Sequence, residues 1–183
     1  MTARRPLLIL ATLTLLAVLA GCTPILTLEP AADANNPGCA DAIVHMPKTV
    51  DVYALRQTNA QATAAWGDPA IALLFCGVPV PAASDLPCVE VNGIQWLREE
   101  VPRDDGTTDL AFTSYGRDPA ARVVVDTSTI GPGIVLDEVA LAVANLPTNG
   151  KVCTSLEDTV SGSDVNGIVG GDSTPTPTPT PTP

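Results

Sequence analysis

Val89-Glu90-Val91-Asn92-Gly93-Ile94-Gln95-Trp96 is the stretch on which the fold reading turns. Asn-Gly is the preferred central pair of a two-residue type I′ hairpin turn, because both residues tolerate the positive φ that the turn demands. Such a turn sets Val91 opposite Ile94, Glu90 opposite Gln95 and Val89 opposite Trp96. Strand alternation then gathers Val89, Val91, Ile94 and Trp96 on one face, and Glu90, Gln95 and Glu99 on the other. A ribbon with one apolar face must bury it against a second layer.

The flanking sequence supplies that layer. Ile71 to Cys76 is a short apolar run between Asp68-Pro69 and Gly77-Val78-Pro79, and reads as a buried strand. Leu110 to Tyr115 and Arg122 to Asp126 read as two more, with Val123, Val124 and Val125 suited to a pleated surface. Asn36-Pro37 reads as an N-cap and first helical residue, followed by Cys39, Ile43 and Met46 on one helical face and stopped by Pro47. Leu136 to Leu146 reads as a second helix, with Leu136, Val139, Ala140 and Val143 on its inner face and Pro147 as its stop. Asp137 and Glu138 are expected in its early turns, where the helix dipole favours negative charge. The expectation is a compact α+β domain: a mostly antiparallel sheet of four or five strands covered by the C-terminal helix. Aromatics are few, so Val, Leu, Ile and Ala must build most of its core.

The expected domain spans residues 38–158, a usual size for one core. The ends have a different composition. Arg4 and Arg5 precede an uncharged, mostly apolar run from Leu7 to Ala20, followed by Gly21 and Cys22. Residues 1–21 read as a lipoprotein signal peptide and Leu19-Ala20-Gly21-Cys22 as a lipobox, with Cys22 as the acylated first residue after cleavage. A helix over this run would reach about 21 Å, short of the hydrocarbon core of a bilayer. Residues 22–37, rich in Pro, Ala, Asn and Thr, read as a tether. Residues 159–183 read as a disordered tail, Gly- and Ser-rich and then Thr-Pro repeats; proline at every second position excludes helix and sheet ladder. The tail is a spacer on this reading, or a stalk carrying sugars on its threonines.

Charge narrows the partners. Losing Arg4 and Arg5 with the signal leaves 7 basic against 20 acidic residues, a net charge of −13. Such a chain is unsuited to nucleic acid, and would be attached to the membrane through the lipid on Cys22 alone. The expected location is the outer face of the cytoplasmic membrane, and the expected partners are a cell-wall component or a membrane protein. The remaining cysteines, Cys39, Cys76, Cys88 and Cys153, are even in number and imply two disulfides in an exported domain. Three connectivities exist; the short loop between them favours Cys76–Cys88, which leaves Cys39–Cys153.

The sequence points to no cofactor, metal or catalytic residue. It has no P-loop, no G-x-G-x-x-G, no H-E-x-x-H and no C-x-x-C, and its one histidine is His45. Asp104, Asp105 and Asp109 lack calcium-loop spacing. Two segments share an unusual residue pattern: Trp66-Gly67-Asp68-Pro69-Ala70-Ile71 and Tyr115-Gly116-Arg117-Asp118-Pro119. Both are natural turns, with Arg117 able to pair with Asp68 or Asp118. They also supply Trp66, Asp68, Tyr115 and Arg117 for a shared pocket that would take a small polar or sugar ligand.

These two segments, with Phe75-Cys76-Gly77-Val78-Pro79 and Val91-Asn92-Gly93-Ile94-Gln95-Trp96, resemble a family of actinobacterial lipoproteins catalogued only as domain of unknown function 3515. The resemblance covers residues 39 to 153 and leaves out the Thr-Pro tail. It implies an exported, cysteine-containing α+β domain on a lipid anchor, and implies no catalytic residues, since the family carries no assigned activity. The functional expectation is a non-enzymatic binding module. The alternative is a hydrolase-type envelope enzyme with a carboxylate site near Asp68.

Overall fold

The structure is a computed structural model that describes residues 24–82, 84–153 and 160–161. The expected signal peptide (residues 1–21), Cys22 and nearly all of the expected tail lie outside the described residues.

The Asn92-Gly93 hairpin forms with the expected register: Val91 faces Ile94, Glu90 faces Gln95 and Val89 faces Trp96. Asn92 and Gly93 both have positive φ, at 50° and 74°. The ribbon is β5 (Cys88–Val91) and β6 (Ile94–Pro102), and belongs to a larger sheet than expected. Before it come α1 (Pro37–Val44), β1 (Thr49–Val50), β2 (Tyr53–Arg56), β3 (Thr63–Trp66) and β4 (Ala72–Val78). After it come β7 (Thr108–Tyr115), β8 (Ala120–Val125) and α2 (Pro132–Ala144). These eight strands are antiparallel in the order β1-β2-β3-β4-β8-β7-β6-β5. A two-residue strand, Val160–Ser161, adds in parallel beside β5.

Two four-strand meanders make up the sheet, β1 to β4 and β5 to β8, joined where β4 pairs with β8. Ala72 faces Val125 and Val78 faces Ala120, so the start of each central strand lies beside the end of the other. Residues entering β4 and residues entering β8 are therefore at opposite ends of the sheet.

Both helices lie on one face. Cys39, Ala42 and Met46 from the α1 region and Leu136, Val139, Ala140 and Val143 from α2 join Leu74, Ile94, Phe112 and Val123 in one buried cluster. Although aromatics are rare, Trp66 and Trp96 are fully buried within it. Asn36 caps α1 as expected, its Oδ1 accepting from Gly38 N–H at 3.0 Å. The C-terminal helix begins at Pro132, four residues before the expected Leu136, and ends at Ala144. Proline is tolerated in a first turn because that N–H has no helical partner. Asp137 and Glu138 consequently lie beyond the first turn, and Asp137 instead accepts from Asn92 Nδ2 at 2.6 Å, joining helix to hairpin.

Two disulfides are present, with the pairing Cys39–Cys76 and Cys88–Cys153. The expected Cys76–Cys88 and Cys39–Cys153 pairs are both replaced, for a topological reason. Cys76 is on β4 and Cys88 on β5, with β8, β7 and β6 between them. Four inter-strand steps are about 19 Å, well beyond the reach of a disulfide. Cys39 lies on α1, directly over β4, 5.6 Å from Cys76 between Cα atoms.

Part of the expected tether is held against the domain. Leu26 N–H donates to Gln57 O at 3.0 Å, Asn59 N–H to Leu26 O at 3.1 Å, and Leu28 N–H to Asn59 Oδ1 at 2.7 Å. Among the described residues no helix is long and apolar enough to cross a membrane.

Candidate functional site

Trp66 ends β3 and turns its side chain into the core, where Nε1 donates to Pro47 O at 3.0 Å. Gly67 and Asp68 then turn the chain outward through a cis Asp68–Pro69 peptide before Ile71 re-enters the core. Asp68 is exposed, and its carboxylate accepts from Arg56 Nη1 at 2.9 Å. Arg56 comes from β2, and its side chain is nine-tenths buried beneath Asp68. Its remaining donors reach Gly67 O and Pro24 O, each at 3.2 Å, while Nε is buried without a partner. These residues frame a groove of about 980 Å³ whose other walls are Pro24, Ile25, Val52, Tyr53 and Leu55.

The Tyr115 segment builds something else. Tyr115 ends β7, Gly116 has a φ of +78°, and Asp118–Pro119 is again a cis peptide. Arg117 contacts neither Asp68 nor Asp118. Its Nη1 donates to Ala144 O at 3.1 Å and Leu146 O at 2.8 Å. Those carbonyls belong to the last turn of α2 and the residues following it, where backbone acceptors lack helical partners and the dipole favours a cation. Burial lowers the Arg117 pKa from its ordinary value. The turn is tied further by Asp118 N–H to Pro147 O and by Asn149 N–H to Gly116 O, both at 3.0 Å. A hollow of about 240 Å³ lies beside it, lined in part by Tyr115, Arg117, Gln95 and Lys151.

The four residues expected around one pocket are thus divided. Asp68 lines the groove, Tyr115 and Arg117 line the smaller hollow, and Trp66 is core. The two turns precede β4 and β8, which run antiparallel, so roughly 20 Å of strand separates them. Sequence reading missed Arg56, Tyr53, Val52, Leu55 and Ile25. The one local signal was Tyr53-Ala54-Leu55-Arg56, a short apolar run closed by a cation.

Asp105, Asp109 and Asp126 have shifted ionisation. Burial pushes Asp109 up, against the pull of Arg103, whose Nε is 3.3 Å away. Asp126, which also pairs with Arg103 at 3.5 Å, is held below its ordinary value chiefly by the Ser128 hydroxyl. Asp126 accepts from Ser128 N–H at 3.0 Å and organises the turn leading to α2, a structural role. Asp105 is lowered chiefly by the Thr107 hydroxyl within the loop between β6 and β7. His45 is exposed at the end of α1, with Nδ1 2.7 Å from Asp41 O. Among the described residues no three His, Cys, Asp or Glu side chains converge as metal ligands.

The structure thus defines an α+β domain of two antiparallel meanders with two disulfides and an open surface groove beside β2. The family described as "Protein of unknown function (DUF3515)" matches residues 6–150, most of the sequence, and the chain belongs to that family. No curated protein and no solved structure matches it.

Proposed function

We propose that the chain is an exported lipoprotein, held at the outer face of the cytoplasmic membrane by acylated Cys22, whose domain binds a partner there and catalyses no reaction. The observation that carries this reading is the pair of disulfides, Cys39–Cys76 and Cys88–Cys153. Such bonds persist in oxidising compartments, which an exported chain reaches. Export and the Leu19-Ala20-Gly21-Cys22 sequence then support each other.

A binding role is favoured over hydrolysis by the state of Asp68. A general acid needs a desolvated carboxyl poised near the working pH. Asp68 has 66% of its side-chain surface exposed and is paired with Arg56. A cell-wall component or a membrane protein is the expected partner class. The decisive experiment is fractionation of cells producing the wild type and Cys22→Ser. The wild type should sediment with membranes and the variant should be released. Retention of Cys22→Ser in the membrane pellet overturns the anchor.

A further inference from the structure

We infer that the groove along β2 is the face on which the domain rests against the lipid bilayer, an inference that builds on Cys22 acylation as proposed above. The first support is apolar exposure. Ile25, Val52 and Leu55 are 56%, 79% and 40% exposed, and all three line the same groove. Isolated exposed apolar residues are ordinary, but three around one concavity form a surface that gains by leaving water.

The second support is chain length. Cys22 lies two residues before Pro24, so its Cα is within about 7 Å of that residue of the groove wall, whatever path the chain takes. Nor can the domain swing freely on a long leash. Arg56 Nη2 holds Pro24 O, and Leu26 is bonded to Gln57 and Asn59. An acyl group on Cys22 would therefore bring this face, and no other, down to the membrane.

The third support is charge. The chain without its signal carries a net −13, which repels an anionic leaflet. The groove lining contains one cation, Arg56, and one anion, Asp68, and these neutralise each other. It is a neutral, apolar surface on an acidic protein, suited to interfacial contact.

The test uses the full acylated chain in phosphatidylcholine–phosphatidylglycerol vesicles. Flotation with the vesicles and the mass of the N-terminal peptide report the anchor independently of docking. Val52→Trp adds an indole at an exposed position, whereas Trp66 and Trp96 stay buried and give a constant background. In vesicles containing brominated phosphatidylcholine, the added emission should fall at least about twofold, as expected for a side chain at the headgroup–acyl boundary. Val52→Trp combined with Leu55→Asp should float equally well and be quenched less. Flotation without quenching of Val52→Trp overturns docking and leaves the anchor intact. Absence of acylation or flotation overturns the anchor itself. Concentration-dependent dimerisation of soluble Cys22→Ser, abolished by Val52→Asp, would assign the groove to a second copy and also overturn the inference.

Discussion

Trp66-Gly67-Asp68-Pro69 and Tyr115-Gly116-Arg117-Asp118-Pro119 look like two copies of one turn, and the fold puts them to different uses. Each follows the third strand of a meander and leads into the fourth, and each has a positive-φ glycine and a cis Asp–Pro peptide. In the second, Arg117 turns inward to satisfy the carbonyls at the end of α2, and the 147–151 segment closes over the turn. In the first, Asp68 stays outside and is neutralised by Arg56 from a neighbouring strand, which leaves a groove. Similar turn sequences therefore do not define a common site. What closes over a turn decides whether it becomes a clasp or a surface.

The largest expected effect comes from opening the disulfide next to the clasp. Cys88→Ala/Cys153→Ala releases a cross-link spanning 65 residues. It should cost about 4 kcal/mol on the chain-entropy estimate, read by denaturant unfolding. Amide exchange should quicken at Gly116, Asp118 and Asn149 well before Gly67 and Ile71. Equal quickening at both turns would break the comparison.

Next come the glycines. A methyl on Gly116 runs into the Lys151 carbonyl, at a φ that already disfavours any side chain. Gly116→Ala should cost about 3 kcal/mol and lower Tm by roughly 10 °C. A methyl on Gly67 meets Pro69 O at 2.9 Å, but its other neighbours are the side chains of Tyr53 and Ile71, which can yield. Gly67→Ala should cost about half as much, with the same calorimetric readout. A reversed order would show that the first turn is the tighter of the two.

The arginines give the smallest difference. Arg117→Met leaves two carbonyls near the end of α2 without their charged donor, and should destabilise by about 2 kcal/mol. Arg56→Met removes an ion pair with an exposed aspartate, two 3.2 Å bonds to the Gly67 and Pro24 carbonyls and a buried Nε without a partner, and should cost about 1 kcal/mol. The two equilibrium unfolding curves should separate in that order. Coincident curves would mean that the Arg56 pair stabilises the fold as much as the clasp does.

Legibility in the sequence followed how local the governing physics was. The β5–β6 register was readable because two residues with positive φ set it. The inner face of α2 was readable from its periodicity, while its start was obscured by Pro132, which reads as a breaker yet is allowed in a first turn. β1 to β3 escaped because they are two to four residues long and carry little alternation: β3, Thr63–Trp66, is buried throughout. The groove was not readable at all. Its walls come from residues 24–25, 52–57 and 67–68, and only strand pairing brings them together.

By itself the sequence determined an α+β chain with a hairpin of known register, an even set of cysteines outside Cys22, and a strongly acidic composition. Turn preference, periodicity and charge act over a few residues or over the whole composition, so no long-range pairing is needed to read them. Only the tertiary structure decided which cysteines bond, which of two similar turns faces solvent, and where the groove lies. Each of these depends on the order β1-β2-β3-β4-β8-β7-β6-β5, in which neighbours in space are distant in the chain. That order puts Cys76 under α1, far from Cys88, and sends Asp68 and Arg117 to opposite ends of the sheet.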